Sequence, residues 1–256
     1  VTLRLVQTIG TFNKSLNMII NSHVHLSSFM NLENNKLIID SKYYQVKKEA
    51  NYGIKIENLK FKYFNAEDYI FENLSLEIER NKHTVITGPN GSGKSTLLGL
   101  ISKVFYPQEG KISSFTEKVG YVGVTPLILN GSLRDNFLYG NKLKKSDDEL
   151  IEFMNTFELF GKSGENLEYI VNNKSLSSGQ MQKVAFIRCL LADVDLLLLD
   201  ESTSNLDLSS RELIFNILKD RDITIINSTH SHEDFLYDNH LKIILEKNER
   251  KILINQ

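Results

Sequence analysis

An α/β fold with a mostly parallel central sheet, an antiparallel β-subdomain before it and a helical subdomain inserted into it is predicted by three observations. A glycine-rich stretch, Gly88-Pro89-Asn90-Gly91-Ser92-Gly93-Lys94-Ser95-Thr96, stands between a short apolar run and a helical one. Residues 195–200 and 222–227 each hold an apolar run between polar ends, as strands buried on both faces of a parallel sheet do. Ahead of the glycines, residues 54–56, 59–64 and 74–78 instead alternate apolar with polar side chains, the pattern of half-buried antiparallel strands.

The 256 residues suffice for one large domain or two small ones at roughly 150 residues per domain. An apolar content of 41% supports a core, and a net charge of -2 with evenly spread basic residues gives no signal for a nucleic-acid partner. Lys142, Lys144 and Lys145 read as a solvated loop. The one cysteine, Cys189, lies among Phe186, Ile187, Leu190 and Leu191, which reads as a buried reduced thiol in a cytosolic compartment.

From the amino end, Leu5, Ile9, Phe12, Leu16, Ile19, Ile20, Val24 and Phe29 recur at intervals near three and four, predicting an amphipathic helix followed by a polar linker. Residues 15–32 carry no Asp, Glu, Lys or Arg, but half are Asn, Ser or His, which is too polar for a membrane span. The chain opens at Val1 with neither an initiator methionine nor a signal-peptide pattern, and is read as part of something longer. Residues 83–87 are predicted as a buried strand and 95–101 as the helix after the glycine loop. Ser146-Asp147-Asp148-Glu149 reads as a capping box before Leu150, Ile151, Phe153, Met154 and Phe157, with Gly161 as the stop. Residues 241–245 and 251–254 read as a closing hairpin around Lys247-Asn248-Glu249-Arg250.

The glycine loop carries the chemistry. It fills G-x-x-x-x-G-K-[ST] at every fixed position, and strand, loop and helix stand in the order that a P-loop NTPase core requires. Gly88, Gly91 and Gly93 permit a nest of backbone N–H groups around phosphate oxygens, at the positive end of the helix that follows. Lys94 can reach the β- and γ-phosphates as a point charge, and the Ser95 hydroxyl can ligate Mg²⁺. The run at 195–200 ends in Asp200-Glu201, adjacent carboxylates at the end of a central strand. Asp200 is read as holding Mg²⁺ through water, and Glu201 as the group that polarises an attacking water.

About twenty residues earlier, Leu176-Ser177-Ser178-Gly179-Gln180 opens a helix over 181–191 and resembles the L-S-G-G-Q signature of ATP-binding cassette (ABC) proteins. Ser202-Thr203-Ser204-Asn205-Leu206-Asp207 resembles that family's D-loop, and His230 its switch histidine. Four motifs in one order over residues 52–240 identify the chain by resemblance as an exporter-type ABC nucleotide-binding domain, with residues 51–256 as the ATP-binding domain and about 126–192 as its helical subdomain. The resemblance implies head-to-tail association, in which ATP held by residues 88–96 of one domain is covered by Ser177, Gly179 and Gln180 of another. It further implies that His230 contacts the γ-phosphate and steadies Glu201, with Glu201, His230 and Lys94 as the catalytic set. Tyr63 falls at the family's adenine-stacking aromatic, although on the residues alone Phe61 and Phe64 are equally available.

Residues 119–136 resemble the region that meets the membrane domain in exporters, and residues 1–50 resemble the cytoplasmic end of a last transmembrane helix plus linker. The implied partners are a second ABC ATPase domain and a transmembrane domain, at the cytoplasmic face of a membrane. Two positions depart from the pattern: Val124 stands where the family's Q-loop glutamine ligates Mg²⁺, so that a water or Thr125 must substitute or the metal shell is incomplete, and Ser178 replaces the first signature glycine. Three readings follow: an ATP-hydrolysing exporter motor, which leads; a nucleotide-gated module with little hydrolysis; and a soluble ABC ATPase.

Overall fold

The computed structural model describes residues 42–141, 143–160, 166–230, 236–246 and 249–255, with backbone alone for 246 and 249–255. Gly161 and the amphipathic segment expected before residue 35 lie outside the described residues. Among the described residues, no helix is long and apolar enough to cross a membrane.

Strands β1 (Tyr44–Val46), β2 (Tyr52–Phe61) and β3 (Phe71–Glu79) precede β4 (His83–Thr87) and helix α1 (Lys94–Ile101). Then come β5 (Glu109–Ser114), β6 (Val119–Val122), β7 (Gly131–Ser132), α2 (Leu133–Leu138), α3 (Asp147–Thr156), β8 (Ile170–Val171) and α4 (Ser178–Leu191). The chain closes with β9 (Leu196–Asp200), α5 (Leu208–Lys219), β10 (Thr224–Ser228), β11 (Asn239–Glu246) and β12 (Glu249–Asn255).

Four strands form a side sheet in the order β1-β5-β2-β3, antiparallel except for β1 with β5. The alternating runs expected at 54–56 and 59–64 join in one strand, β2, which is interrupted by a bulge and ends at Phe61, short of residue 64. Asn58 takes a left-handed φ of 48°, and the register to both neighbours shifts there. Gly110 crosses this bulge so closely that a Cβ would stand 2.6 Å from the carbonyl oxygens of Glu57 and Asn58. Residues 44–46, expected in the linker, form the edge strand of the sheet.

The central sheet runs β12-β11-β4-β10-β9-β6 and is parallel except for the closing hairpin of β11 with β12, which pairs as expected. The apolar runs are the reason: every residue of β9 and β10 is buried, since helices cover both faces. Helix α1 is buried over most of its surface, with Leu97, Leu98 and Leu100 fully enclosed.

Between β6 and β9 lies the helical insertion. Its helices α2, α3 and α4 each begin with a serine capping box: Ser132 with Asp135, Ser146 with Glu149, and Ser177 with Gln180. Each box satisfies two backbone donors, and loss of such a cap costs about 1 kcal/mol. Phe137, Leu150, Phe157 and Val171 are fully buried here and join Val184 and Phe186 in one apolar cluster that reaches Leu197 and Leu199 of β9. Each such side chain contributes roughly 1.5–3 kcal/mol by leaving water.

Three local expectations change. Helix α3 stops at Thr156 rather than at Gly161, because Glu158 turns left-handed (φ 48°) and the N–H groups of Phe157, Glu158 and Leu159 fold back onto the carbonyls of Phe153, Asn155 and Met154. Helix α4 starts at Ser178 rather than Met181, since Ser177 is its cap. Lys145 is no loop lysine in solvent: its side chain is 14% exposed and lies 3.4 Å from Glu149 and 3.5 Å from Asp193. Cys189 is free and buried as expected, and burial pushes its thiol up to about 11.

Candidate functional site

The adjacent parallel strands β4, β10 and β9 end at one edge of the sheet, and their carboxyl ends lead into Gly88, Thr229-His230 and Asp200-Glu201. Sequence positions more than a hundred residues apart thereby meet. From β4, residues 88–93 wrap the start of α1. Gly93 occupies the cap position at φ 103° with no side-chain cap, so the first N–H groups of α1 are left for an anion. A Cβ on Gly93 would meet Phe71 Cζ at 2.9 Å, and one on Gly88 would meet Ile243 O at 2.7 Å and Ser92 Oγ at 2.8 Å. Pro89, Asn90 and Gly91 form the exposed outer turn of the loop. Ser92 is wholly buried, and its hydroxyl has no hydrogen-bond partner.

Lys94 is 6% exposed and donates from Nζ to the carbonyls of Gly88 (2.9 Å) and Pro89 (3.3 Å), lying along the loop. Ser95 Oγ donates to Asp200 Oδ1 at 2.9 Å, joining the two residues expected to hold a metal. The Thr96 and Tyr63 hydroxyls are 2.8 Å apart. The Tyr63 ring stands edge-on to Phe61 and Phe105 and is 41% exposed, while Phe61 is buried and Phe64 projects away at 95% exposure. Of the three aromatics open on sequence, Tyr63 is the one tied to the loop.

Glu201 lies 3.0 Å from His230 Nε2 through Oε1. Its backbone has φ 49°, a left-handed conformation uncommon for this residue, fixed by its N–H bond to Ser228 O at 2.9 Å. Strain of this kind, of order 1–3 kcal/mol, persists where surrounding structure enforces it. The sequence carries no sign of it.

The expected signature residues stand at the start of α4, in the helical insertion. Ser177 and Gln180 are bonded to each other, and Gln180 Nε2 also donates to Leu159 O. Ser177 and Ser178 are exposed, and a Cβ on Gly179 would touch only Leu206 Cδ2 at 3.6 Å and Asn205 O at 3.8 Å. Among the described residues, nothing close requires glycine there.

Two functional-looking residues were not read from the sequence. Tyr121 donates its phenol to Asp200 Oδ2 at 2.9 Å, from the strand that ends just before Gly123 and Val124. Gln182, wholly buried, donates from Nε2 to the carbonyls of Gly123 (3.0 Å) and Val124 (2.8 Å), and Asn205 Nδ2 donates to Val124 O at 3.3 Å. The Val124 side chain itself is 43% exposed. No sequence signal would have found these contacts beyond the polarity of buried positions, because they join residues 58 to 81 apart.

An uncapped glycine loop at the head of a buried helix, with a serine–aspartate pair and a glutamate–histidine pair beside it, defines a P-loop nucleotide-binding domain. Comparison with known proteins narrows the class: a family profile described as ABC transporter matches residues 71–204, and the chain belongs to that family. It is 31% identical over 205 residues to the ATP-dependent permease MDL1 of Candida albicans, covering 71% of this chain and 30% of that protein. It is 35% identical over 179 residues to ABC transporter B family member 13 of Arabidopsis thaliana, covering 63% of this chain and 14% of that one. Among solved structures, a bacterial Atm1-family ABC exporter with ATP bound aligns with a TM-score of 0.68 at 23% identity, over 81% of this chain and 41% of that chain. The chain thus spans less than a third of the curated relatives named here, and the fold is that of the exporter's nucleotide-binding domain.

Proposed function

We propose that the chain is the ATP-binding and ATP-hydrolysing motor of an ABC-type membrane exporter, dimerising around ATP to drive translocation. In this reading residues 1–50 link to a transmembrane domain, residues 51–256 are the motor, and a second ABC domain is its partner at the cytoplasmic face of a membrane. One observation carries it: the Glu201–His230 pair at 3.0 Å stands beside an Asp200 that is bonded into the phosphate loop through Ser95. The relatives named as a permease and an exporter support the transport assignment.

The residues present suit a magnesium–triphosphate. The buried Ser92 hydroxyl has no partner, and Ser95 Oγ and Asp200 Oδ1 are hard oxygen donors of the kind Mg²⁺ takes. Bound Mg²⁺ supplies neutralisation of the charge that gathers on the phosphate oxygens. Residues 88–96 would cradle the phosphates, Lys94 exchanging its two carbonyl partners for phosphate oxygens, while Ser95 and Asp200 would hold the metal. Tyr63 would stack on adenine. Glu201 would take the proton of the attacking water, with His230 holding Oε1 so that Oε2 faces the water. From the other domain, the α4 start with Ser177, Gly179 and Gln180 would close the site on the γ-phosphate.

Val124, which offers no side-chain ligand, favours a second reading in which ATP binds and joins two domains with little hydrolysis. Glu201→Gln separates the two. Phosphate release by the full chain is expected to fall at least about 100-fold, with an ATP-bound dimer accumulating. An unchanged rate overturns Glu201 as the base. A native chain that dimerises with ATP yet releases no phosphate supports the second reading.

A further inference from the structure

Asp200 is buried, and both of its carboxylate oxygens are engaged: Ser95 Oγ donates to Oδ1 and the Tyr121 phenol to Oδ2, each at 2.9 Å. Tyr121 lies in β6, in register with Leu198 of the neighbouring β9, two residues before Asp200.

The segment that follows is shaped around this ring. A Cβ on Gly123 would stand 3.2 Å from Tyr121 Cε1, so the absence of a side chain there lets the ring lie where it does. The backbone of Gly123 and Val124 is held by Gln182, with Asn205 adding a second donor to the Val124 carbonyl. Gly123 and Val124 thus have a fixed main chain and no side-chain oxygen or nitrogen. The nearest polar side chain of this strand to meet the carboxylate is Tyr121.

We propose that Tyr121 is the positioning residue of the metal site, holding Asp200 Oδ2 so that Oδ1 stays turned towards Ser95. It orders a ligand that is already present and adds none in place of Val124, and it rests on the magnesium–nucleotide reading given above. A carboxylate pinned through one oxygen presents the other in a single orientation, whereas an unpinned one must be ordered when the metal arrives. Removal of such outer-shell hydrogen bonds typically costs 10–100-fold in metal affinity.

The test is Tyr121→Phe in the full chain, read by equilibrium binding of a fluorescent ATP analogue while Mg²⁺ is titrated, and again in chelator. The Mg²⁺ concentration at half-saturation is expected to rise about 10-fold or more, while affinity in chelator stays at the native value. Gly123→Ala, which crowds the ring, is expected to move the midpoint in the same direction and serves if Tyr121→Phe does not fold. A native Mg²⁺ midpoint in the variant, or an equal loss with and without Mg²⁺, overturns the role of Tyr121 while leaving the nucleotide site standing. A native chain that binds the analogue with no dependence on Mg²⁺ overturns both.

Discussion

The phosphate loop and the start of α4 each end in a helix N-terminus, yet they are built in opposite ways. The loop is enclosed by its own chain: Gly88 and Gly93 are hemmed in by Ile243 and Phe71, Lys94 is buried, and the α1 start has no side-chain cap. The α4 start is exposed, fully boxed by Ser177 and Gln180, and Gly179 has room around it. The first arrangement leaves donors inside the chain for a ligand that the chain itself encloses. The second is stable without a ligand and leaves Gly179 half-buried with open space beside it. Under the proposed function, the first is the half of the site that the chain completes itself, and the second is the half that it offers to another domain.

Substitutions that act on one half alone sharpen this contrast. Lys94→Ala has the largest expected effect, since it removes charge-assisted bonds worth about 1.5–3 kcal/mol each. Affinity for magnesium ATP should fall on the order of 100-fold in a binding titration, with little change in melting temperature. Gly93→Ala forces a Cβ into Phe71 and a side chain onto φ 103°, and should cost about 1–3 kcal/mol of stability in denaturant unfolding. Ser177→Ala should cost about 1 kcal/mol, a fall of roughly 2–4 °C in melting temperature, by removing the α4 cap.

Gly179→Asp should disturb the single chain least. An acidic residue in the first turn of a helix is favourable, and there is space for it. Its nucleotide affinity and melting temperature should match the native chain, whereas ATP-dependent association should disappear because a carboxylate would face the partner's γ-phosphate. Weakened nucleotide binding by this variant in the monomer would contradict the division into two half-sites.

Much of this was legible in the sequence where the chemistry is contiguous. The glycine loop, Asp200-Glu201 and the apolar runs of β9 and β10 fall in their expected elements because each is a local pattern with one structural solution. His230 was legible only through its family resemblance, and its contact with Glu201 follows the strand order. Strands β1 and β5 to β8 are too short or too polar to be legible in the sequence, and β2 reads as two strands because a bulge at Asn58 breaks its alternation. The left-handed Glu201, the phenol of Tyr121 on Asp200 and the grip of Gln182 on Val124 depend on pairings across the sheet and the insertion that no spacing encodes. Val124 offers the metal site no side-chain ligand, and beside it Gly123 makes way for a tyrosine that reaches Asp200.

The central claim, that ATP is held between two such domains, is tested most directly by sedimentation velocity of the full chain carrying Glu201→Gln, with and without magnesium ATP. A shift from monomer to dimer that requires the nucleotide is predicted; a monomer at saturating magnesium ATP, with nucleotide demonstrably bound, would contradict it.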